Sequence, residues 1–523
     1  MHAPVPRLAP AARRAEAAWL VLLLALCAVV LAWRWVGFQG HDDAYYAAAA
    51  LDWRRLGTDH WALRYPLVLP MAAALAVIGP HLVALALPTL IAYLAWLLST
   101  YLGLRARFGW QTAALAALAG ILVPEFPVQA TYANPDLLEL AFVLAAFWCH
   151  QAALRTPDRM LPLLHCGVLA GLAFLTRETS AALVLYFGAL CAVRPGMPRR
   201  LYALVALSFA AVVGCECAYF AVRAGDYLYR AHLSAAHDVV DRAAQATRAA
   251  AAGHALDSEG VLAGGPAWQV FAALCVSQKY GLLFVLAAPA TWYALRGERL
   301  SPAERRVVTD AALLAGSFIL FVALAASKLY IVPRYFTAAA GAAVIPLAAA
   351  GGCLWRARPR LAAAAIVLCA ATCVPLLAVE NTDPLFAVRR LLALAADPRA
   401  LIHTDPYTAA QAAIPLRLAG LTNRVSTDPP APGDLVAIPD GVALACLASR
   451  TCGFKARMAP FTPTPGWVRL RCEAAPTPLP GRLVQAIGLA RFTPPDILRK
   501  LASPNPALCI YRVAAAGAPA DPR

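Results

Sequence analysis

Long apolar runs separated by short charged loops set the pattern of residues 1–378. The runs at 17–36, 81–104, 110–124, 135–154, 160–176, 178–193, 200–222, 268–295, 307–327, 335–355 and 361–378 each predict a membrane-crossing helix. That makes about eleven spans on the usual criterion of ~20 apolar residues, the shorter ones crossing by tilt or local adjustment of the bilayer. Pro66 to Ile78 is apolar as well, but it contains Pro70 and stops at Gly79-Pro80. Its length predicts an interfacial or re-entrant helix. The first run follows Arg7, Arg13 and Arg14 and carries Trp19, Trp33 and Trp35 near its ends. A signal peptide has a shorter core and a small-residue cleavage site, so this run predicts an uncleaved first span.

Arginines test the count independently. Alternate loops carry Arg105 and Arg107; Arg155 and Arg159; Arg194, Arg199 and Arg200; Arg296, Arg299, Arg305 and Arg306; Arg356, Arg358 and Arg360. The positive-inside rule places these loops, and the N-terminus, in the cytoplasm. Counting 66–78 as a span would put the later clusters outside. An odd number of spans then leaves residues 379–523 on the outer face, the periplasm of a bacterium. There, short helical and strand-like patterns alternate among many prolines, as where Leu401-Ile402-His403 precedes Thr404-Asp405-Pro406. The expected architecture is an all-α polytopic membrane protein at 1–378, with outer loops 37–80, 125–134 and 223–267, followed by a small α/β soluble domain at 379–523.

Composition agrees. Hydrophobic residues make up 61% of the chain and charged residues 14%, against about 25% charged in soluble domains, so lipid must solvate much of the surface. The net charge of +16 sits largely in the short loops that topology already explains. No basic stripe with interleaved aromatics points to nucleic acid. Of the 14 cysteines, most lie in apolar runs as small buried hydrophobes. Cys446, Cys452, Cys472 and Cys509 fall in the C-terminal segment, where an oxidising compartment would make disulfides.

Candidate chemistry collects in the outward loops. The first begins Gly40-His41-Asp42-Asp43-Ala44-Tyr45-Tyr46. Two acids just after a span, with Tyr46, Ala50 and Trp53 at helical spacing, put carboxylates at the start of an interfacial amphipathic helix. A helix cap beside a solvated neighbour would explain an average pair of this kind. A carboxylate held at the membrane surface is partly desolvated, however, and suits a general base. The second loop ends Thr131-Tyr132-Ala133-Asn134-Pro135-Asp136, with Asp136 at the mouth of a span, where an ionisable group is costly without a partner or a role. Glu125 in the same loop reads as an acid facing water or a substrate.

Basic residues also turn outward in Arg64-Tyr65-Pro66, Thr176-Arg177-Glu178-Thr179, Ser327-Lys328-Leu329-Tyr330 and Pro333-Arg334-Tyr335-Phe336. The positive-inside rule does not explain them. Headgroup contact and snorkelling are the plain alternatives; phosphate capture, for which the arginine fork is well shaped, is the functional one. Tyr45, Tyr46, Glu125 and Lys328 are candidate acceptor or sugar contacts. No cofactor is required by the pattern; a divalent metal beside His41, Asp42 and Asp43 is the alternative to an ordinary solvated histidine. His232 and His237, five apart, would not align as ligands on a helix. Acids and bases thus gather on one face of the membrane, and Glu216 is the main charge inside an apolar run. A transporter would show broken helices and mid-span ionisable groups. The asymmetry predicts a reaction between an anionic lipid and a hydroxyl or amine acceptor.

At these residues the chain resembles the GT-C fold glycosyltransferases, in particular the superfamily of protein O-mannosyltransferases and lipid A aminoarabinose transferases. The likeness runs over roughly 17–378. It rests on the order of features: first span, acidic pair, a helix ending in a basic-aromatic-Pro element, Asn134-Pro135-Asp136, Gly171-Leu172-Ala173-Phe174-Leu175-Thr176-Arg177 and Pro333-Arg334-Tyr335-Phe336. The resemblance implies inverting transfer of a sugar from a polyprenyl-phosphate donor to a glycan, lipid or protein acceptor. It implies that Asp42 deprotonates the acceptor, with Asp43 its acidic neighbour and Asp136 the second-loop acid. Arg334, with Arg64 and Arg177, would neutralise the leaving phosphate. The Lys-Pro-Pro element of the aminoarabinose transferases is Arg64-Tyr65-Pro66 here, and the C-terminal segment lacks the sugar-binding repeats of the eukaryotic mannosyltransferases. The first departure leaves the sugar open, and the second argues against the eukaryotic branch and for a bacterial inner-membrane member. The rival readings are a lipid-linked-sugar flippase or transporter, and an O-antigen ligase or polymerase taking a diphosphate-linked donor.

Overall fold

A computed structural model describes residues 10–156, 160–193, 196–235, 268–325, 332–380, 383–439, 463, 466–503 and 505–514. The N-terminal part is helical throughout: α1 (Pro10–Trp33), α2 (Asp42–Leu51), α3 (Tyr65–Ile78), α4 (Leu82–Phe108), α5 (Trp110–Leu122), the short α6 (Glu125–Gln129), α7 (Pro135–Ala153) and α8 (Leu161–Thr176). It continues with α9 (Ala182–Val193), α10 (Tyr202–Ala224), α11 (Trp268–Val276), α12 (Leu283–Leu295), α13 (Pro302–Ala325), α14 (Thr337–Ala357) and α15 (Pro359–Val379). Among the described residues, seven helical stretches are long and apolar enough to cross a membrane: those of α1, α4, α7, α10, α13, α14 and α15. Shorter apolar helices at α5, α8, Glu178–Val193 and α12 complete the set of predicted runs. The protein is a multi-pass membrane protein, all-α in this part.

One predicted span needs correction. The run 268–295 is not a continuous helix, because α11 ends at Val276 and α12 begins at Leu283. Between them lies the polar stretch Ser277-Gln278-Lys279, and Gly281 adopts φ +55°, a left-handed conformation that glycine takes at no steric cost. A lysine in an unbroken span would sit in hydrocarbon; the break lets Lys279 pair with Glu380, just past α15, at 2.7 Å. The 66–78 run forms α3, a helix of 14 residues that buries Leu67, Val68, Met71 and Ala74 and leaves Val77 exposed. It is short, as its length predicts.

Small residues set the helix spacing. A Cβ on Gly167 of α8 would lie 2.3 Å from the Val205 carbonyl of α10, and one on Gly171 would lie 2.7 Å from Val212. Helices in lipid gain most from such close packing, since apolar side chains have no water to escape. α14 is the hub of the bundle: nearly all its residues from Thr337 to Ala350 are buried, and Gly341 lies against Leu140 of α7.

The C-terminal part is a small α/β unit: α16 (Phe386–Ala395), β1 (Ile402–His403), α17 (Pro406–Leu418), β2 (Val425–Ser426), β3 (Leu435–Pro439), β4 (Trp467–Glu473), α18 (Leu479–Ala486), α19 (Pro495–Ala502) and β5 (Leu508–Val513). Strand order is β2-β1-β3-β5-β4, with β1 parallel to β2 and β3, and β5 antiparallel to β3 and β4. Cys472 and Cys509 face one another across β4 and β5 and form a disulfide; Cys446 and Cys452 lie outside the described residues. This unit is not a detached appendage. Its Leu385, Val388, Ile402, Ala412 and Leu508 share one hydrophobic core with Phe38, Tyr46, Ala47, Leu67 and Val68 of the first loop. That shared core fixes where the first loop sits.

Candidate active site

Between α1 and α2 the chain is tied to the second loop, since Val36 N–H donates to Thr131 Oγ1 (3.1 Å) and Gly37 N–H to the Thr131 carbonyl (2.9 Å). Gly40 then turns with φ +74°, and a Cβ there would press on Leu385 and Gln411 of the C-terminal unit. The two adjacent acids have different surroundings. Asp43 is buried and accepts backbone N–H groups of Gln39 (2.5 Å) and His41 (2.8 Å). It braces the turn that presents its neighbour. Asp42 is half-buried and its carboxylate receives Arg334 Nη2 at 2.5 Å.

The electrostatics separate the pair further. Burial, reinforced by the charge of Asp42, pushes Asp43 up to about 6 against the pull of its N–H donors. Burial also acts to raise Asp42, but the neighbouring Arg334 outweighs it and holds that carboxyl below the usual range. Asp43 therefore favours its protonated form on folding, relative to an unfolded carboxyl near ~4. Its stabilising contribution is full below pH ~4 and is lost as pH rises through the folded value of about 6. Asp43→Asn stays neutral throughout. The thermal midpoint of wild type, taken relative to that of Asp43→Asn, should fall between pH 4 and 7 and then level off. A difference that is flat with pH would contradict the assignment.

Arg334 lies on the tight turn Pro333–Phe336 that leads into α14. The Tyr280 hydroxyl, in the break between α11 and α12, donates to the Pro333 carbonyl at 2.6 Å, and Thr337 Oγ1 donates to the Arg334 carbonyl at 2.8 Å. Thus the helix break supports the arginine turn. On the other side, Asn134 caps α7 by accepting from Asp136 N–H at 2.6 Å, and the buried Asp136 forms an ion pair with Arg177. The Arg177 guanidinium lies over the Tyr335 ring, 4.5 Å from its centroid. Tyr46, one helical turn beyond Asp42, is within electrostatic reach of Asp42, Arg64, Arg177 and Arg334. Tyr45 is exposed at the mouth and stacks on Trp61 at 5.5 Å.

Of the expected residues, Asp42, Tyr46, Asp136, Arg177 and Arg334 come together. Arg64 lies within electrostatic reach of Tyr46 and is already engaged: it donates to Glu178 at 2.5 Å and to the Thr176 carbonyl at 3.1 Å. Glu125 does not face water. It is buried, accepts from Gln129, and burial raises its carboxyl. Lys328 and the part of the third loop at 236–267 lie outside the described residues. Among the described residues no three His, Cys, Asp or Glu gather as a metal site, and Asp43 spends both its oxygens on backbone donors.

Arg230 supports the site although no motif marks it in the sequence. It is buried and donates to both Glu216 oxygens (2.7 and 2.8 Å), to Glu178 (2.8 Å), and to the carbonyls of Leu63 (2.7 Å) and Leu175 (3.2 Å). It therefore grips the backbone just ahead of two site arginines, Arg64 and Arg177. A signal was present in Glu216, since a carboxylate within a span needs a partner.

An apolar cavity of about 470 Å³ opens between α5, α12, α14 and α15, lined by Leu118, Leu122, Leu286, Tyr293, Leu347 and Cys369 among others. Its lining includes Leu282, two residues beyond the Tyr280 that supports the arginine turn.

The family described as dolichyl-phosphate-mannose-protein mannosyltransferase matches residues 65–220. That stretch includes Asp136 and Arg177 but neither Asp42 nor Arg334. The chain is similar in structure to ArnT from Cupriavidus metallidurans in the apo state, with a TM-score of 0.54 and 14% identity, covering 83% of this chain and 95% of that one. The crystal structure of the same ArnT bound to undecaprenyl phosphate gives 0.52 at the same identity and coverage. The Archaeoglobus fulgidus oligosaccharyltransferase in complex with Zn and sulfate gives 0.50 at 12% identity, covering 94% of this chain and 88% of that one. No curated protein matches in sequence. At these identities the likeness is one of fold: the chain has the GT-C fold, a polytopic helical bundle with a small C-terminal sheet.

Proposed function

We propose that the protein is an inverting glycosyltransferase that moves a sugar from a polyprenyl-phosphate donor to an envelope glycan, lipid or protein. The observation that carries the reading is the Asp42–Arg334 pair at 2.5 Å, where the first loop, the second loop and the turn before α14 meet. The acceptor hydroxyl or amine attacks the anomeric carbon as the bond from that carbon to the phosphate oxygen breaks. The acceptor proton passes to Asp42, and the polyprenyl phosphate leaves with the bonding pair. One displacement inverts the anomeric centre. Arg334 would turn from Asp42 to the leaving phosphate, and stabilising charge that develops in the transition state is commonly the largest catalytic contribution. Arg177, placed by Asp136 and Tyr335, adds a second cation beside it. The structural neighbour bound to undecaprenyl phosphate and the apolar cavity near Leu282 both favour a long isoprenoid tail. Arginines in alternate loops favour an inner-membrane protein with a cytoplasmic N-terminus and a periplasmic C-terminal unit.

Native mass spectrometry of the protein in lipid nanodiscs tests the donor class. Polyprenyl monophosphate should be retained by wild type and weakened at least tenfold by Arg334→Ala, a loss of about 1.4 kcal/mol or more. Preferential retention of a polyprenyl diphosphate would favour a ligase or polymerase. Binding of monophosphate unaffected by Arg334→Ala would remove the arginine from the donor site.

A further inference from the structure

The C-terminal unit carries an apolar surface that its own sheet does not cover. On α18, Leu479 and Leu483 are four residues apart, and Ile487 continues the spacing. All three are more than half exposed, and Leu489 and Phe492 extend the strip, Phe492 at 71%. Apolar strips this long on a soluble face mark a contact surface. The neighbouring helix shows what they contact. α19 packs against α18, where Gly481 allows the Leu501 carbonyl to approach, and also against the last span, α15. α15 ends at Val379 and leads directly into this unit. α15 is itself largely uncovered by protein, with Val367, Leu368 and Val374 exposed, so lipid surrounds it.

Charge selects the occupant. Residues 474–503 contain Arg482, Arg491, Arg499 and Lys500 against a single acid, Asp496. Arg491 lies over the Phe492 ring at 4.6 Å, an apolar body carrying a cation at its edge, as amphipathic side chains do at an interface. An apolar strip flanked by arginines, held beside a lipid-facing span, has the composition of an interfacial membrane element. We infer that residues 479–492 rest on the bilayer, with Leu479, Leu483, Ile487 and Phe492 in the headgroup–acyl boundary and Arg482 and Arg491 among lipid phosphates. The C-terminal unit is then anchored twice, through α15 and through this strip. Since its core is shared with the first loop, the second anchor also fixes the height of that loop above the membrane.

The test uses full-length protein in nanodiscs containing anionic lipid, with a fluorescent amino acid introduced separately at Ile487, at Phe492 and, as a control on the opposite edge of the sheet, at Thr422. Lipids carrying a nitroxide quencher near the headgroup should quench the first two several-fold more than the third. Equal quenching at all three sites overturns the inference. So does efficient cross-linking of position 492 to a second copy, or to residues 440–462 of the same chain, without lipid quenching. Two probe positions keep the result readable if one substitution disturbs folding.

Discussion

Replacing Asp42 by Asn is expected to lower turnover by about 10²–10⁴-fold, the range that a general base contributes, while donor binding and folding stay close to wild type. The two side chains have the same shape, and position 42 begins α2 with its side chain partly in solvent. The ion pair lost with Arg334 is about a third exposed on both sides, so its stabilising worth is about 1 kcal/mol or less. Donor retention separates this variant from a merely structural one: without Asp42 competing for it, Arg334 remains free to hold the phosphate, so affinity for polyprenyl monophosphate should hold or rise. Asp43→Asn gives the internal comparison. Asp43 faces the backbone of Gln39 and His41, so its replacement should act by loosening the turn, with a smaller loss of rate and a measurable loss of stability. Full turnover in purified Asp42→Asn protein, with sugar transfer followed by mass spectrometry, would sink the assignment of the base.

The contrast between these neighbours shows where sequence reasoning stops. Asp42 and Asp43 are chemically identical in a linear pattern, and only the fold decides which is buried under the turn. Asp42 and Arg334 each stand out in the sequence, one as a post-span acid and one as an outward arginine. Their contact spans 292 residues and no local pattern encodes it. The spans were legible because burial in lipid demands a run of apolar residues whatever the tertiary structure. The break at 277–282 was not, since one lysine and one glycine barely alter the average of a long window. The burial of Glu125 is hidden in the sequence for a related reason. Its loop is tied to Lys279 through the Glu125 N–H to Lys279 carbonyl bond at 2.9 Å, a contact set by the break. The disulfide partner of Cys472 depended on strand register, which the sequence leaves open.

Arg230 gives the second large expectation, this one in stability. Arg230→Met should destabilise the protein by about 3–5 kcal/mol, because removing one partner of a buried ion pair leaves the other charge uncompensated. The stranded group is Glu216, held by two of the Arg230 donors and buried within α10. Glu178 suffers less, since Arg64 still pairs with it. The double variant Arg230→Met/Glu216→Met removes both charges and should recover more than half of the loss, as apolar replacements of buried pairs are often near neutral. Activity should not recover in parallel. The double variant still lacks the donors to the Leu63 and Leu175 carbonyls, which hold the chain ahead of Arg64 and Arg177, so the affinity for donor lipid stays weakened although the fold is restored. Thermal midpoints in micelles and KM for the donor, measured on wild type and both variants, separate the two roles. A single variant within about 1 kcal/mol of wild type, measured by denaturant titration, would mean that Glu216 finds water or another cation. A double variant that regained both stability and wild-type KM would reduce Arg230 to a counter-ion for Glu216.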